Sequence, residues 1–297
     1  MPRLSYLLSL TPRETWRLAR HRLPGLRGGA AWTARELMSS SKHARGIRFA
    51  ELLARQEAIA AQHQAWTPLD FEGKRVVEIG CGPLAGFGPL AIFRGAASFE
   101  SAEPEWDPAL QGDREVVDTY LRVFHADLVA LYGPRMDFPT FRDALDTRLS
   151  IHRCGFEAAP IAGTVDIVLS QSVLEHVFPL EDTVAKLAAI QTSGTRFMHL
   201  VDFGNHYPTA SPFDGLYELP PEAYIRQRGN AINLLRAPDI AEVFAAHDIA
   251  ATLIPTRKLP DSATGLIGEW WRERYDDDAL FTQLALVASP APGDSVT

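Results

Sequence analysis

The 297-residue chain is 46% hydrophobic and 22% charged, with a formal net charge of −8 and two cysteines. This composition excludes a fibrous or intrinsically disordered chain, and two cysteines leave no disulfide framework. No apolar run nears the roughly 20 residues that a membrane span requires, so a globular cytoplasmic protein is expected, with one large domain and additions.

In chain order, the charge is first to stand out. Residues 1–50 hold ten lysines and arginines against two acids. Thr11-Pro12-Arg13-Glu14 offers an N-cap, a proline at the first helical position and an acid at the third, which predicts a helix ending before Pro24. Arg13, Arg17 and Arg20 share one face of it, and Trp16, Ala19 and Leu23 another. Such a helix suits weak contact with an anionic membrane surface. The plainer reading, a solvated helix docked on the body or a loose terminus, is preferred. Nucleic acid is not expected, because the rest of the chain is acidic and would repel phosphates.

A second helix is expected over 47–66, where Phe49, Leu52, Leu53, Ile59 and Ala60 recur at helical spacing. It should pack at the sheet edge and close one side of a ligand cleft. Strands follow at 74–79, 97–102, 148–153, 165–170, 196–201, 249–254 and 281–288, with helices at 88–94, 181–191 and 238–247 between them. Strands alternating with helices predict an α/β fold, a doubly wound, mostly parallel sheet of Rossmann-like type. The domain plan is an N-terminal helical extension (1–69), a main domain (70–290) and a disordered tail (291–297). The main domain carries a helical insertion over 108–146 and a long insertion over 203–236. The latter is rich in aromatic and hydrogen-bonding residues and reads as a lid or acceptor-binding element.

Two segments carry the chemistry. The first is Arg75-Val76-Val77-Glu78-Ile79-Gly80-Cys81-Gly82-Pro83-Leu84-Ala85-Gly86, an apolar strand with an acid near its end that runs into a glycine-rich loop. Glycines let a ligand approach main-chain N–H groups that a Cβ would block. Alone the loop is compatible with several adenosine-containing cofactors. An acid at Glu78 suits an ammonium group and hydroxyls better than a pyrophosphate. The second segment is Val165-Asp166-Ile167-Val168-Leu169-Ser170-Gln171-Ser172-Val173-Leu174-Glu175-His176-Val177, a buried strand stopping at a small polar cluster.

Together the two segments resemble the class I S-adenosylmethionine-dependent methyltransferases, in particular the small-molecule type with an Asp-apolar-Val-x-Ser-x-x-x-Leu-Glu-His segment after the fourth strand. The resemblance implies S-adenosyl-L-methionine as cofactor. It places Glu78, Gly80, Cys81 and Gly82 around the methionine part, and Ser170, Gln171 and Ser172 near the ammonium and sulfonium. Glu103, 23 residues after Gly80, matches the acid at the end of the second strand, whose two oxygens accept both ribose hydroxyls. The chain departs from the pattern at the third glycine, which is Leu84, and after the third strand, where no Asp stands near the adenine; Phe156 is a candidate to stack on the base instead.

Transfer to an alcohol needs a base, and histidine is matched to neutral pH. His206, just past a strand end, is the first candidate, then His199 and His176, with Asp202 to orient a histidine. His199, Asp202 and His206 match no established ligand spacing, so no metal is expected. The acceptor read from the polar, aromatic insertion is a small hydroxylated molecule, a sugar or glycan among the options. Two alternatives stay open: a nicotinamide-dependent oxidoreductase using the same loop, and a non-catalytic scaffold of methyltransferase fold.

Overall fold

The computed structural model describes residues 45–106, 114–206, 209–260 and 266–289. The helix expected within 11–23, the start of the first insertion and the tail at 291–297 lie outside the described residues. Seven strands form one sheet: β1 (Arg75–Ile79), β2 (Ser98–Ala102), β3 (Leu149–His152), β4 (Ile167–Gln171), β5 (Arg196–Asp202), β6 (Thr252–Lys258) and β7 (Thr282–Ala288). Their order is β3-β2-β1-β4-β5-β7-β6. All neighbours pair in parallel except β7, which is antiparallel to both β5 and β6.

Successive strand residues point to opposite faces, and the sheet therefore feeds two cores. Val76, Ile167, Leu169, Met198, Ile254 and Leu286 face one cluster, built on Phe71, Phe87, Phe93, Phe124 and Phe141. Val77, Ile79, Val168, Phe197, Val201 and Val287 face the other, where the helix layer supplies Val184, Leu187, Ile240 and Phe244. Helices cover both faces: α1 (Gly46–His63), α2 (Gly88–Phe93), α3 (Arg114–Tyr132), α4 (Phe138–Arg148), α5 (Leu180–Ile190), α6 (Pro221–Arg228), α7 (Ala237–Ala246), α8 (Glu269–Arg274) and α9 (Asp277–Phe281). Each fully buried phenylalanine contributes about 2–3 kcal/mol through removal of apolar surface from water.

α1 buries Gly46, Ala50, Leu53, Gln56 and Ala60, a helical repeat on one side. It packs on α2, α3, the edge strand β6 and its neighbour β7. Arg45, at its N-terminus, holds Asp127 of α3 through two bonds of 2.6 and 2.7 Å. α4 starts at Asp137, whose carboxylate accepts the Thr140 N–H at 2.9 Å, with Pro139 in the first turn. The expected strand at 249–254 begins later. Asp248 adopts φ +55° and the Ile249 N–H returns to the Phe244 carbonyl, so these residues close α7 instead. β6 then runs along the sheet edge, where Pro255 is tolerated.

The order of strands reverses between β1 and β4. The crevice at the carboxyl ends of these two strands is where open α/β sheets bind ligands.

Candidate active site

β1 delivers Glu78 to the crevice, but inside it. The side chain is 1% exposed, and its Oε2 accepts the Phe87 N–H at 2.9 Å. Burial raises its pKa well above the ordinary carboxylate value; the Phe87 bond opposes this and the nearby Glu103 charge adds to it. Gly86 makes the arrangement possible. Its φ is +50°, and a Cβ there would run into the Glu78 carboxylate. Glu78 thus bolts the loop to the strand through Oε2. Cys81 is also buried, packed with Ala85 and Trp106, and its thiol pKa is raised by burial and by Glu78. Its side chain is withdrawn, leaving its backbone to line the loop.

Glu103 follows β2 directly and faces the loop. Its Oε2 accepts the Gly82 N–H at 2.7 Å and its Oε1 the Glu105 N–H at 3.1 Å. Gly82 has φ +62°, and a Cβ on it would meet nothing within 4 Å. Here the main chain lies open beside an acid. Gly80 is the hinge between β1 and this loop, its N–H bonded to the Ala102 carbonyl at 2.9 Å.

The end of β4 divides its three predicted residues. Ser170 and His199 are opposite one another in the β4–β5 pair, and Ser170 Oγ meets His199 Nδ1 at 2.9 Å. Both are fully buried, and desolvation lowers the His199 pKa to about 3. They bond each other inside the protein, while His199 Nε2 is buried without a hydrogen-bond partner among the described residues. Gln171 accepts a 2.6 Å hydrogen bond from Gln56 of α1, so the N-terminal helix reaches the crevice through a residue the sequence did not single out. Ser172 adopts φ +53°, with its N–H on the Leu200 carbonyl at 2.8 Å. Phe156 is buried in the second core beneath Lys186, which corrects the expectation that it stacks on a base.

Opposite the glycine loop, the helical turn Leu174–His176 meets the segment after β5. His206 Nε2 lies 3.7 Å from Glu175 Oε1 and 3.2 Å from the Asp202 carbonyl. The His176 and His206 rings stand edge to face, 4.6 Å apart. The Asp202 carboxylate does not orient a histidine as expected: Oδ1 accepts the Gly204 N–H at 2.9 Å, and the backbone carbonyl faces His206. His176 Nδ1 bonds the Ala231 carbonyl at 2.6 Å, and its pKa is lowered, chiefly by burial. Asn233 fixes the turn from outside. Its Nδ2 donates to the carbonyls of Leu174 and Val177 at 2.8 and 3.0 Å, and its N–H to the Glu175 carbonyl. Glu175 stands in the sequence motif without an assigned role, yet it is 3% exposed, and burial raises its pKa to about 8.

The insertion at 203–236 has a core of its own, with Phe213, Leu216, Tyr217, Tyr224 and Trp271. Its fixed point is Arg236, 1% exposed, which donates to the Phe203 carbonyl at 2.9 Å and the Tyr217 hydroxyl at 3.0 Å. The described part of the insertion is therefore a packed wall.

No family model matches the chain, and no curated protein matches it. Among solved structures, a geranyl diphosphate methyltransferase in complex with S-adenosylmethionine aligns at 15% identity and TM-score 0.48, covering 92% of this chain and 95% of that one. The geranyl diphosphate C-methyltransferase of Streptomyces coelicolor A3(2) aligns at 12% and 0.44, covering 91% and 85%. An S-adenosylmethionine-dependent methyltransferase from Mesorhizobium loti aligns at 13% and 0.42, covering 78% and 94%. Likeness at this level says nothing about the site, and the fold is read from the topology itself. The strand order β3-β2-β1-β4-β5-β7-β6, with β7 reversed against both neighbours, is that of the class I S-adenosylmethionine-dependent methyltransferase fold.

Proposed function

We propose that the protein is an S-adenosylmethionine-dependent methyltransferase that methylates an oxygen of a small hydroxylated acceptor, a sugar or glycan among them. The observation that carries this reading is the hydrogen bond from the Gly82 N–H to Glu103, on a loop whose Cα side is open, at the switch point of the sheet. A carboxylate holding main-chain N–H groups with both oxygens is ready to take the two hydroxyls of a ribose. The empty space beside Gly82 lets a ligand reach the main chain. The cofactor, when bound, supplies a methyl group already activated on a sulfonium. The chain's own work is then to align the acceptor and to receive its proton.

In this reading Glu103 binds the ribose, the backbone of Gly80, Cys81 and Gly82 holds the methionine part, and Gln171 and Ser172 border it from β4. Glu78 shapes the loop. His206 and His176, both facing solvent, are the groups placed to take a proton from an acceptor. Residues 70–290 are the methyltransferase domain, 203–236 the acceptor wall and 1–69 an extension whose Gln56 supports the β4 side.

Calorimetric titration of the full chain with S-adenosylmethionine, S-adenosylhomocysteine and NAD(H), repeated with Glu103→Ala, tests the reading. Micromolar binding of the first two is expected. Two hydrogen bonds to a charged acceptor are each worth about 1.5–3 kcal/mol, so the variant should bind at least about 100-fold more weakly. Binding of NAD(H) alone would favour an oxidoreductase, and binding of nothing a scaffold; either overturns the proposal.

A further inference from the structure

We infer that Glu175, His176 and His206 form a binding site for a divalent first-row transition-metal ion, on the acceptor side of the crevice. Their ligand atoms all lie within 4.8 Å of one another. Ligands about 2.1 Å from one ion sit about 3.0–3.4 Å apart at octahedral or tetrahedral angles. The 3.7 Å between His206 Nε2 and Glu175 Oε1 is close to that; to ligate through Nε2, His206 gives up its 3.2 Å hydrogen bond to the Asp202 carbonyl and carries its proton on Nδ1.

Three further observations point to a cation. Neither buried oxygen of Glu175 has a hydrogen-bond partner among the described residues, its side chain being 4% exposed; such a group is costly unless a proton or a cation joins it. A carbonyl oxygen can only accept, so His176 must donate to Ala231 through Nδ1. That leaves the Nε2 lone pair free, and a backbone carbonyl behind the imidazole is the usual support of a metal-bound histidine. His206 is held at φ +54°, in a loop fixed by Asn205, whose Nδ2 donates to Thr209 Oγ1 at 2.9 Å and to the Asp214 carbonyl at 2.8 Å. One carboxylate and two imidazoles make a set for Zn2+, Co2+, Fe2+ or Mn2+ that leaves coordination positions open. The trio differs from His199, Asp202 and His206, because His199 is sealed inside the sheet.

The site's use, unlike its existence, rests on the proposed methyl transfer. An ion with open positions would coordinate an acceptor hydroxyl and lower its pKa. His176 and His206 would then serve as ligands in place of the proton-accepting role: the hydroxyl proton would pass to bulk solvent, and the O–CH3 bond would form as the sulfonium S–CH3 bond breaks, leaving S-adenosylhomocysteine.

The test is titration of the untagged, chelator-stripped full chain with Co2+, followed by visible absorption, and with Zn2+ by calorimetry. One ion per chain is expected, with affinity falling at least about tenfold in both Glu175→Gln and His206→Ala and unchanged in His247→Ala. Thermal melts establish that each variant folds; His176→Ala provides a third if one does not. No saturable binding, or binding unchanged in the site variants, overturns the inference. S-adenosylmethionine titrated into the same samples separates the two readings. Metal without cofactor binding keeps this site and removes the methyltransferase, and cofactor without metal binding does the reverse.

Discussion

The two walls of the crevice are made of different materials. The β1–β2 wall is backbone: a glycine loop, one buried acid that bolts it and one open acid that faces it, all between Glu78 and Glu103. The β4–β5 wall is side chains: Glu175 and His176 from one turn and His206 from a loop after the next strand, held by Ala231 and Asn233 of the insertion. The first wall depends on conformations that only particular residues adopt. The second depends on where remote segments come to rest. A local device can be copied in one stretch of sequence, whereas convergence of side chains requires the finished fold.

The largest effect should come from breaking the local device. In Gly86→Val a β-branched side chain would need φ near +50° and the space of the Glu78 carboxylate, and a loss of about 3 kcal/mol or more is expected in urea unfolding. Glu78→Gln keeps an oxygen for the Phe87 N–H and avoids a buried charge, so it should cost under about 1 kcal/mol. If the two variants were equally damaging, the bolt would be wrong. On the other wall, Arg236→Met leaves the Phe203 carbonyl without its buried donor. A loss of about 2–3 kcal/mol is expected, with cofactor affinity at the first wall unchanged in the folded protein; a parallel fall in affinity would show that the walls are coupled.

The effect that appears only as pH falls concerns His199. Its pKa is about 3 in the fold against an ordinary 6.5, so the unfolded chain binds the extra proton between those values. The neutral histidine's contribution is complete above about pH 6.5 and is lost as pH falls towards 3, by about 1.4 kcal/mol per unit. His199→Gln removes the proton site, and its stability relative to the parent should rise by that slope as pH falls from 6 to 4. Parallel curves would mean that His199 is open to solvent protons in the fold.

Several features were legible because they rest on local physics. The alternation of buried strands and helices specified the doubly wound sheet, since each element must bury its apolar side. Glu103 stands out by its distance from the glycine loop, and Pro89 marks the start of α2. Other residues mislead because the same residue types serve a core as readily as a site. Phe156, Ser170 and His199 go to the interior, Phe156 into the apolar core and Ser170 against His199 Nδ1. Glu175 escapes notice because nothing in Leu174-Glu175-His176 shows that its carboxylate points inward.

By itself the sequence determined the class of fold and the glycine-rich loop after β1, because glycine torsions, strand burial and helix starts are set by residues close together in the chain. Only the tertiary structure decided which histidines face the crevice, which are sealed, and that a buried glutamate stands within 4.8 Å of two of them. Those outcomes depend on the reversal of β7, the packing of the insertion around Arg236 and the register of β4 on β5, contacts between segments that no local stretch encodes.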